Sequence, residues 1–187
     1  MRKLKLQLQM SADGYAAGLE GELDWLVWDW DDNLKAHVSK QTENVDCILL
    51  GRKLADGFIP HWQSLQENPE TADASSEKMV NTPKIVFSAT ANAQDWKNTM
   101  VISSDAETFI RQLKSQPGKD IMVYGGCSFV SYLIDSGLID EFHLYMNPVA
   151  IGGGLPVFRK STENIQLRLT QSLSFSSGIV LLQYEPK

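Results

Sequence analysis

Three short apolar runs, each stopped by glycine or serine and separated by helix-like stretches, limit the folds open to this chain. Residues 46–51 read Asp-Cys-Ile-Leu-Leu-Gly, residues 83–88 Pro-Lys-Ile-Val-Phe-Ser, and residues 120–126 Asp-Ile-Met-Val-Tyr-Gly-Gly. Runs of this kind are expected of strands covered on both faces. Residues 4–10 instead alternate apolar and polar side chains, the pattern of a half-buried strand. They lead into Ser11-Ala12-Asp13-Gly14-Tyr15, where Asp-Gly signals a turn.

Helix signals fall between these runs. Residues 31–42 begin with capping aspartates and place Leu34 and Val38 four apart. Residues 105–115 offer Asp105 as N-cap and Phe109, Ile110 and Leu113 on one face, and residues 129–136 are apolar up to Ser136-Gly137. Strands alternating with helices predict a largely parallel α/β sheet. The C-terminal part differs. Residues 142–146, 166–173 and 179–184 read as strands, and no helix separates the last two. They predict an antiparallel addition that makes the sheet mixed. Residues 63–82 are polar, lack aromatics and contain Asn68-Pro69, which reads as a long loop or ragged helix. Neither a repeat nor a boundary is visible, so residues 1–187 are expected to form one domain.

Charge and composition exclude several function classes. The net charge is −6 with scattered charges, which opposes a nucleic-acid footprint. Two distant cysteines and three histidines without ligand spacing give no expectation of a metal site. No run of about 18 apolar residues suggests a membrane span, and residues 1–10 lack a signal-peptide core. A soluble, cytoplasmic protein is the expectation.

The chemistry is expected at strand tips. In Val123-Tyr124-Gly125-Gly126-Cys127-Ser128, a buried strand turns through paired glycines into a helix. Helix N-termini present unpaired N–H groups to phosphates, and glycine admits close approach. A tight turn without a ligand would read the same. Gly51-Arg52-Lys53 places two cations at a helix start, where the macrodipole disfavours them unless an anion is bound. Arg52 could grip such an anion with two prongs, although a solvated basic pair is the plainer alternative. Ser88 and Thr90, either side of Ala89, put hydroxyls at a third tip, and ligands bind at the carboxyl ends of strands in open α/β sheets, although ordinary turn residues would read the same.

These motifs, in this order, resemble dihydrofolate reductase: residues 50–53, 84–88 and 121–126 carry the likeness. Residues 11–15, 137–142 and 148–158 are more similar to the reductase domain of the bifunctional riboflavin-biosynthesis deaminase-reductase and its stand-alone bacterial relatives. The resemblance implies a dihydrofolate reductase-like sheet of about eight strands, NADPH as cofactor, a small heterocyclic substrate and a homodimer. It implies that Gly51, Arg52 and Lys53 meet the adenosine phosphates, with Ser88 beside the 2′-phosphate. It also implies that Gly125, Gly126, Cys127 and Ser128 hold the pyrophosphate and that Ala12 approaches the nicotinamide. Asp32, by position, and Tyr124 are the candidate proton donors; helix capping is the simpler role for Asp31 and Asp32. Asp13 and Trp28 are candidate substrate contacts, with turn formation and an apolar cover or dimer interface as their plain alternatives.

Three departures stand out. Leu54 replaces the family's usual threonine, Ala89 one of a serine pair, and Tyr124 a glutamate frequent in the riboflavin reductases. They leave open a protein of the same fold that binds a nucleotide, or dimerises, without catalysis. The zinc deaminase half has no counterpart in the sequence.

Overall fold

The computed structural model describes residues 1–89, 96–158 and 164–187. Among them, eight strands form one sheet in the order β4-β3-β2-β5-β1-β6-β8-β7. Strands β1 (Leu4–Ser11), β2 (Val45–Gly51), β3 (Lys84–Phe87), β4 (Thr99–Ile102), β5 (Asp120–Tyr124) and β6 (Glu141–Asn147) run parallel. Strands β7 (Leu167–Ser174) and β8 (Val180–Pro186) close the sheet as an antiparallel hairpin. This is the mixed, mainly parallel α/β sheet that the apolar runs predict. Its helices are α1 (Asp32–Glu43), α2 (Arg52–Glu67), α3 (Ala74–Asn81), α4 (Ala106–Ser115) and α5 (Cys127–Asp135).

Both faces of the sheet are covered. On one face Leu4, Leu6, Leu8, Val123 and Phe142 pack with Ile110 of α4 and with Val130 and Leu133 of α5. On the other, Ile48, Leu50 and Val86 meet Ala55 and Ile59 of α2 and Met79 of α3, while Leu34 of α1 covers Tyr145 and Leu181. Each such large apolar side chain contributes about 1.5–3 kcal/mol on burial. A helix cap contributes about 1 kcal/mol. Burial therefore holds the layers together, and caps decide where the helices begin.

The structure departs from the sequence reading in two places. The alternation in β1 predicts one wet face, yet β1 lies centrally between β5 and β6 and Gln7 is only 8% exposed. Of the two readings of residues 63–82 the helical one holds: α2 continues to Glu67, and α3 starts at a capping box formed by Asp73 and Ser76. Pro60 is tolerated within α2 because it lies on the exposed face, as does Asp56, whose carbonyl the missing N–H leaves free. The short edge strand β4 has no counterpart in the sequence reading.

Charged residues at the amino ends of the strands pair with one another. Lys3 and Lys5 reach Glu141 at 2.6 and 3.5 Å, Lys5 reaches Asp120 at 2.8 Å, and Lys114 reaches Asp140 at 2.6 Å. The hydrogen bond from His143, helped by the two lysines, pulls the Glu141 carboxyl from 4.5 down to about 2. A carboxylate depressed in the folded state stabilises the fold above its unfolded pKa and loses that contribution as the pH falls. The loss here spans pH 4.5 to about 2. Urea unfolding at a series of pH values should show Glu141→Gln less stable than the parent at neutral pH, with the gap narrowing across that window. A constant gap would contradict this role.

Candidate active site

The carboxyl ends of β1, β2, β3 and β5 reach the same edge of the sheet. Gly51 lies opposite Phe87, and Leu49 opposite Val123, so the Gly51 and Gly125 tips emerge side by side. Ser88 follows Phe87 and anchors its own N–H on the Ile102 carbonyl at 3.0 Å. The first loop joins this cluster through α5. The Cys127 thiol donates to the Leu155 carbonyl at 3.8 Å, and Leu155 forms an antiparallel bridge with Ala17. Ala12 sits at the start of that loop, exposed, with its N–H on the Val149 carbonyl at 2.8 Å. All the described residues assigned by resemblance to a cofactor are therefore carried on this one edge. Thr90 lies outside the described residues.

The two helices that start at the glycine tips differ from the other three. Asp31, Asp73 and Asp105 cap α1, α3 and α4, each accepting an N–H of the first turn. Helices α2 and α5 begin at Gly51 and Gly126, without a side-chain cap and without an acidic residue in the first turn. Their partial positive charges therefore point to this edge without a carboxylate to offset them.

The glycines serve different physical ends. A Cβ on Gly51 would stand 2.8 Å from Phe129 Cβ, so glycine there lets β2 and α5 touch. Gly126 has φ +80°, a left-handed conformation that costs a residue with a Cβ about 1–2 kcal/mol. Leu54 occupies the space beside both Gly125 and Gly126, where the resemblance leads one to expect a hydroxyl.

Arg52 ion-pairs with Asp56 one turn along α2, and its Nε is buried without a partner. Lys53 is exposed and forms no ion pair among the described residues. Ser128 is exposed in the first turn of α5.

Beside this edge, the sheet face that α1 and α2 cover carries a group of polar side chains on β5, β1 and β6. Tyr124 stacks on Phe58 of α2 at 5.2 Å, and burial pushes its phenol above the usual range. Gln7 lies between Tyr124 and His143 in the sheet register. Gln41 of α1 binds His143 at 2.6 Å and accepts from the Tyr145 hydroxyl at 2.6 Å. The Tyr124 hydroxyl has no hydrogen-bond partner among the described residues.

The remaining candidates are placed less centrally. Asp32 is exposed in the first turn of α1, where Asp31 does the capping and ties the helix to Ser176 and Ser177. Asp13 accepts from Ser11 Oγ at 2.6 Å, Ile151 N at 3.2 Å and Gly152 N at 2.7 Å, bonds that lower its pKa. It thus braces one loop against another. Trp28 is 69% exposed, whereas Trp25 lines an open groove of about 450 Å³ with Leu19, Glu22 and Ile151. Sequence reading missed Gln7 and Gln9; the available signal is polar residues in a strand that central apolar runs must flank on both sides. No group of three or more His, Cys, Asp or Glu that could hold a metal ion occurs among the described residues. No described helix is long and apolar enough to cross a membrane.

An eight-stranded sheet of this order, with uncapped glycine-started helices at one edge, defines a reductase-type fold of the dihydrofolate reductase class. Residues 2–181 match the RibD C-terminal domain family, and the chain belongs to that family. It is 34% identical over 186 residues to the uncharacterized protein YyaP of Bacillus subtilis (strain 168), covering 98% of this chain and 94% of the relative. A putative riboflavin biosynthesis protein from Shewanella sp. PV-4 superposes with a TM-score of 0.76 at 21% identity, over 100% of this chain and 99% of the other. Dihydrofolate reductase from Enterococcus faecalis, solved with NADP(H), superposes with a TM-score of 0.61 at 16% identity, over 99% and 96% of the two chains.

The contact beneath the glycine tip makes a prediction of sign. Gly51→Ala should destabilise the protein by about 1–3 kcal/mol through overpacking against Phe129. Gly57→Ala, in open space within α2, should instead stabilise it by about 0.5–1 kcal/mol. Urea midpoints decide the matter, and equal effects at the two positions would refute this reading of Gly51.

Proposed function

We propose that the protein is an NADPH-dependent reductase that transfers a hydride to a small heterocyclic substrate. The observation that carries the reading is the pair of uncapped helix N-termini at Gly51 and Gly126, side by side and joined by Arg52. Two anionic groups of one nucleotide fit this cradle. Gly51, Arg52 and Lys53 would take the adenosine phosphates, with Ser88 beside the 2′-phosphate. The N–H groups from Gly125 to Ser128 would take the pyrophosphate. Ala12 would bound the nicotinamide. The buried, unpartnered Arg52 Nε fits this assignment, because a buried donor without an acceptor costs free energy that an anion would recover.

When bound, NADPH supplies the hydride, and the chain supplies orientation and a dry slot. Helices α1 and α2 would flank the substrate ring and keep water from it. Tyr124, held protonated by burial, orients the substrate by hydrogen-bond donation. The proton that follows the hydride comes from Tyr124, from Asp32 at the mouth of α1, or from an ordered water. Dihydrofolate and the ribosylaminouracil intermediate of riboflavin synthesis are the two substrates to assay first. The reading extends to a cytoplasmic homodimer without nucleic-acid or membrane partners. Leu54 against Gly125 and Gly126 favours the second reading, a nucleotide-binding protein without turnover, and NADPH oxidation in those assays separates the two.

Titrating NADPH and NADH against the pure protein tests the cofactor. Charge-assisted hydrogen bonds contribute about 1.5–3 kcal/mol each, so Arg52→Ala should weaken NADPH binding by roughly tenfold or more. NADH, which lacks the 2′-phosphate, should lose less. No binding of either cofactor, or equal losses for both, would defeat the assignment.

A further inference from the structure

The chain from β1 to α1, residues 12–31, is clamped to the glycine-rich loop that follows β6. Asp13 accepts from Ile151 N and Gly152 N. Ala16 N donates to the Leu155 carbonyl at 3.0 Å, and Leu155 N returns to the Ala17 carbonyl at 2.8 Å. Both loops line the open groove of about 450 Å³. Its apolar lining is Leu19, Trp25 and Ile151, and its charged lining is Glu22 and Asp24. No lysine or arginine lines it. Leu19 is 70% exposed, apolar surface that folding leaves uncovered.

The charged and aromatic parts are held in place by the turn that carries them. Gly18 N donates to the Glu22 carbonyl at 2.9 Å, and Glu22 Oε2 accepts from Glu20 N at 3.0 Å. A Cβ on Gly18 would run into the same carboxylate, so glycine there makes room for it. Trp25 Nε1 donates to the Glu22 carbonyl at 3.1 Å. The indole has thereby spent its one donor, and its π surface is what remains for a ligand. Glu22 and Asp24 are both exposed, and neither forms an ion pair among the described residues.

These features complement one kind of occupant. Two carboxylates without counter-ions attract positive charge, and a tryptophan ring adds cation–π attraction. Leu19 and Ile151 offer surface to a hydrocarbon part. A phosphate or carboxylate would meet two like charges and no cation, a mismatch that charge complementarity penalises.

We propose that this groove binds a small organic cation, an ammonium group carried on an apolar frame, and repels molecules bearing phosphate or carboxylate. The clamp ties the groove to the loop that begins at Ala12, which makes the cation the tail of the molecule being reduced. That extension rests on the reductase reading; the binding itself does not.

Phenethylammonium, phenethyl alcohol and phenethyl phosphate share a frame and differ in charge. Each is titrated at low salt into isotope-labelled protein while the Trp25 indole N–H signal, assigned with Trp25→Phe, is followed. The ammonium should bind at least about fivefold more tightly than the alcohol, and the phosphate should leave the signal unmoved. Glu22→Gln combined with Asp24→Asn keeps both shapes and should abolish the preference while sparing the alcohol. Equal affinity for ammonium and alcohol, a Trp25 shift with the phosphate, or a preference that survives the double variant would overturn the proposal. So would the absence of any shift, the result expected if a second copy of the chain fills the groove. NADPH titrated into the same samples keeps the two claims apart. Cofactor binding without cation preference removes only this inference, whereas cation preference without cofactor binding removes the reductase reading and leaves the groove.

Discussion

The close contact of Gly51 with Phe129 is the constraint on which the candidate site depends. It lets the tip of β2 touch the first turn of α5, so two helix starts share one edge of the sheet. A larger residue at that point would push the tips apart and separate the two helix N-termini. Parallel strands make such convergence possible, because every strand followed directly by a helix delivers that helix's positive end to the same side. The cap pattern then distinguishes the structural helix starts from the reserved ones. Aspartates close α1, α3 and α4, and no side chain among the described residues caps α2 or α5.

Charge follows the same division. The amino ends of the strands carry an interlocked set of lysines, arginines and carboxylates, led by Glu141 with Lys3, Lys5 and His143. At the opposite edge the described residues include the cations Arg52 and Lys53, and Arg52 ion-pairs with the exposed Asp56. An acidic protein can thus offer a local basic site without a basic overall balance.

Much of this architecture is legible in the chain. The apolar runs ending at Gly51, Ser88 and Gly125-Gly126 mark buried strands because a parallel sheet needs apolar residues on both faces, and Asp31 and Asp105 announce helix starts. What escapes has physical reasons. Strand β4 is four residues long, at the sheet edge and incompletely buried, so too few apolar positions mark it. Helix α2 shows its start at Gly51-Arg52-Lys53, but its length hides behind Pro60, whose lost hydrogen bond falls on the exposed face. The burial of Gln7 and Gln9 polar atoms is concealed by alternation, since polar residues in every second place read as facing water. Only the position of β1 between β5 and β6 reveals that they face the interior. Trp28 shows the converse: a large aromatic drew attention and lies mostly exposed, while Trp25 lines the groove.

The central claim is that backbone N–H groups at two neighbouring strand tips grip one nucleotide. Backbone amide chemical shifts of isotope-labelled protein, followed while NADPH is added, address it most directly. The account predicts that the amides of residues 51–53 and 125–128 move together, with a single affinity. Movement of one set without the other, or of neither, would contradict it.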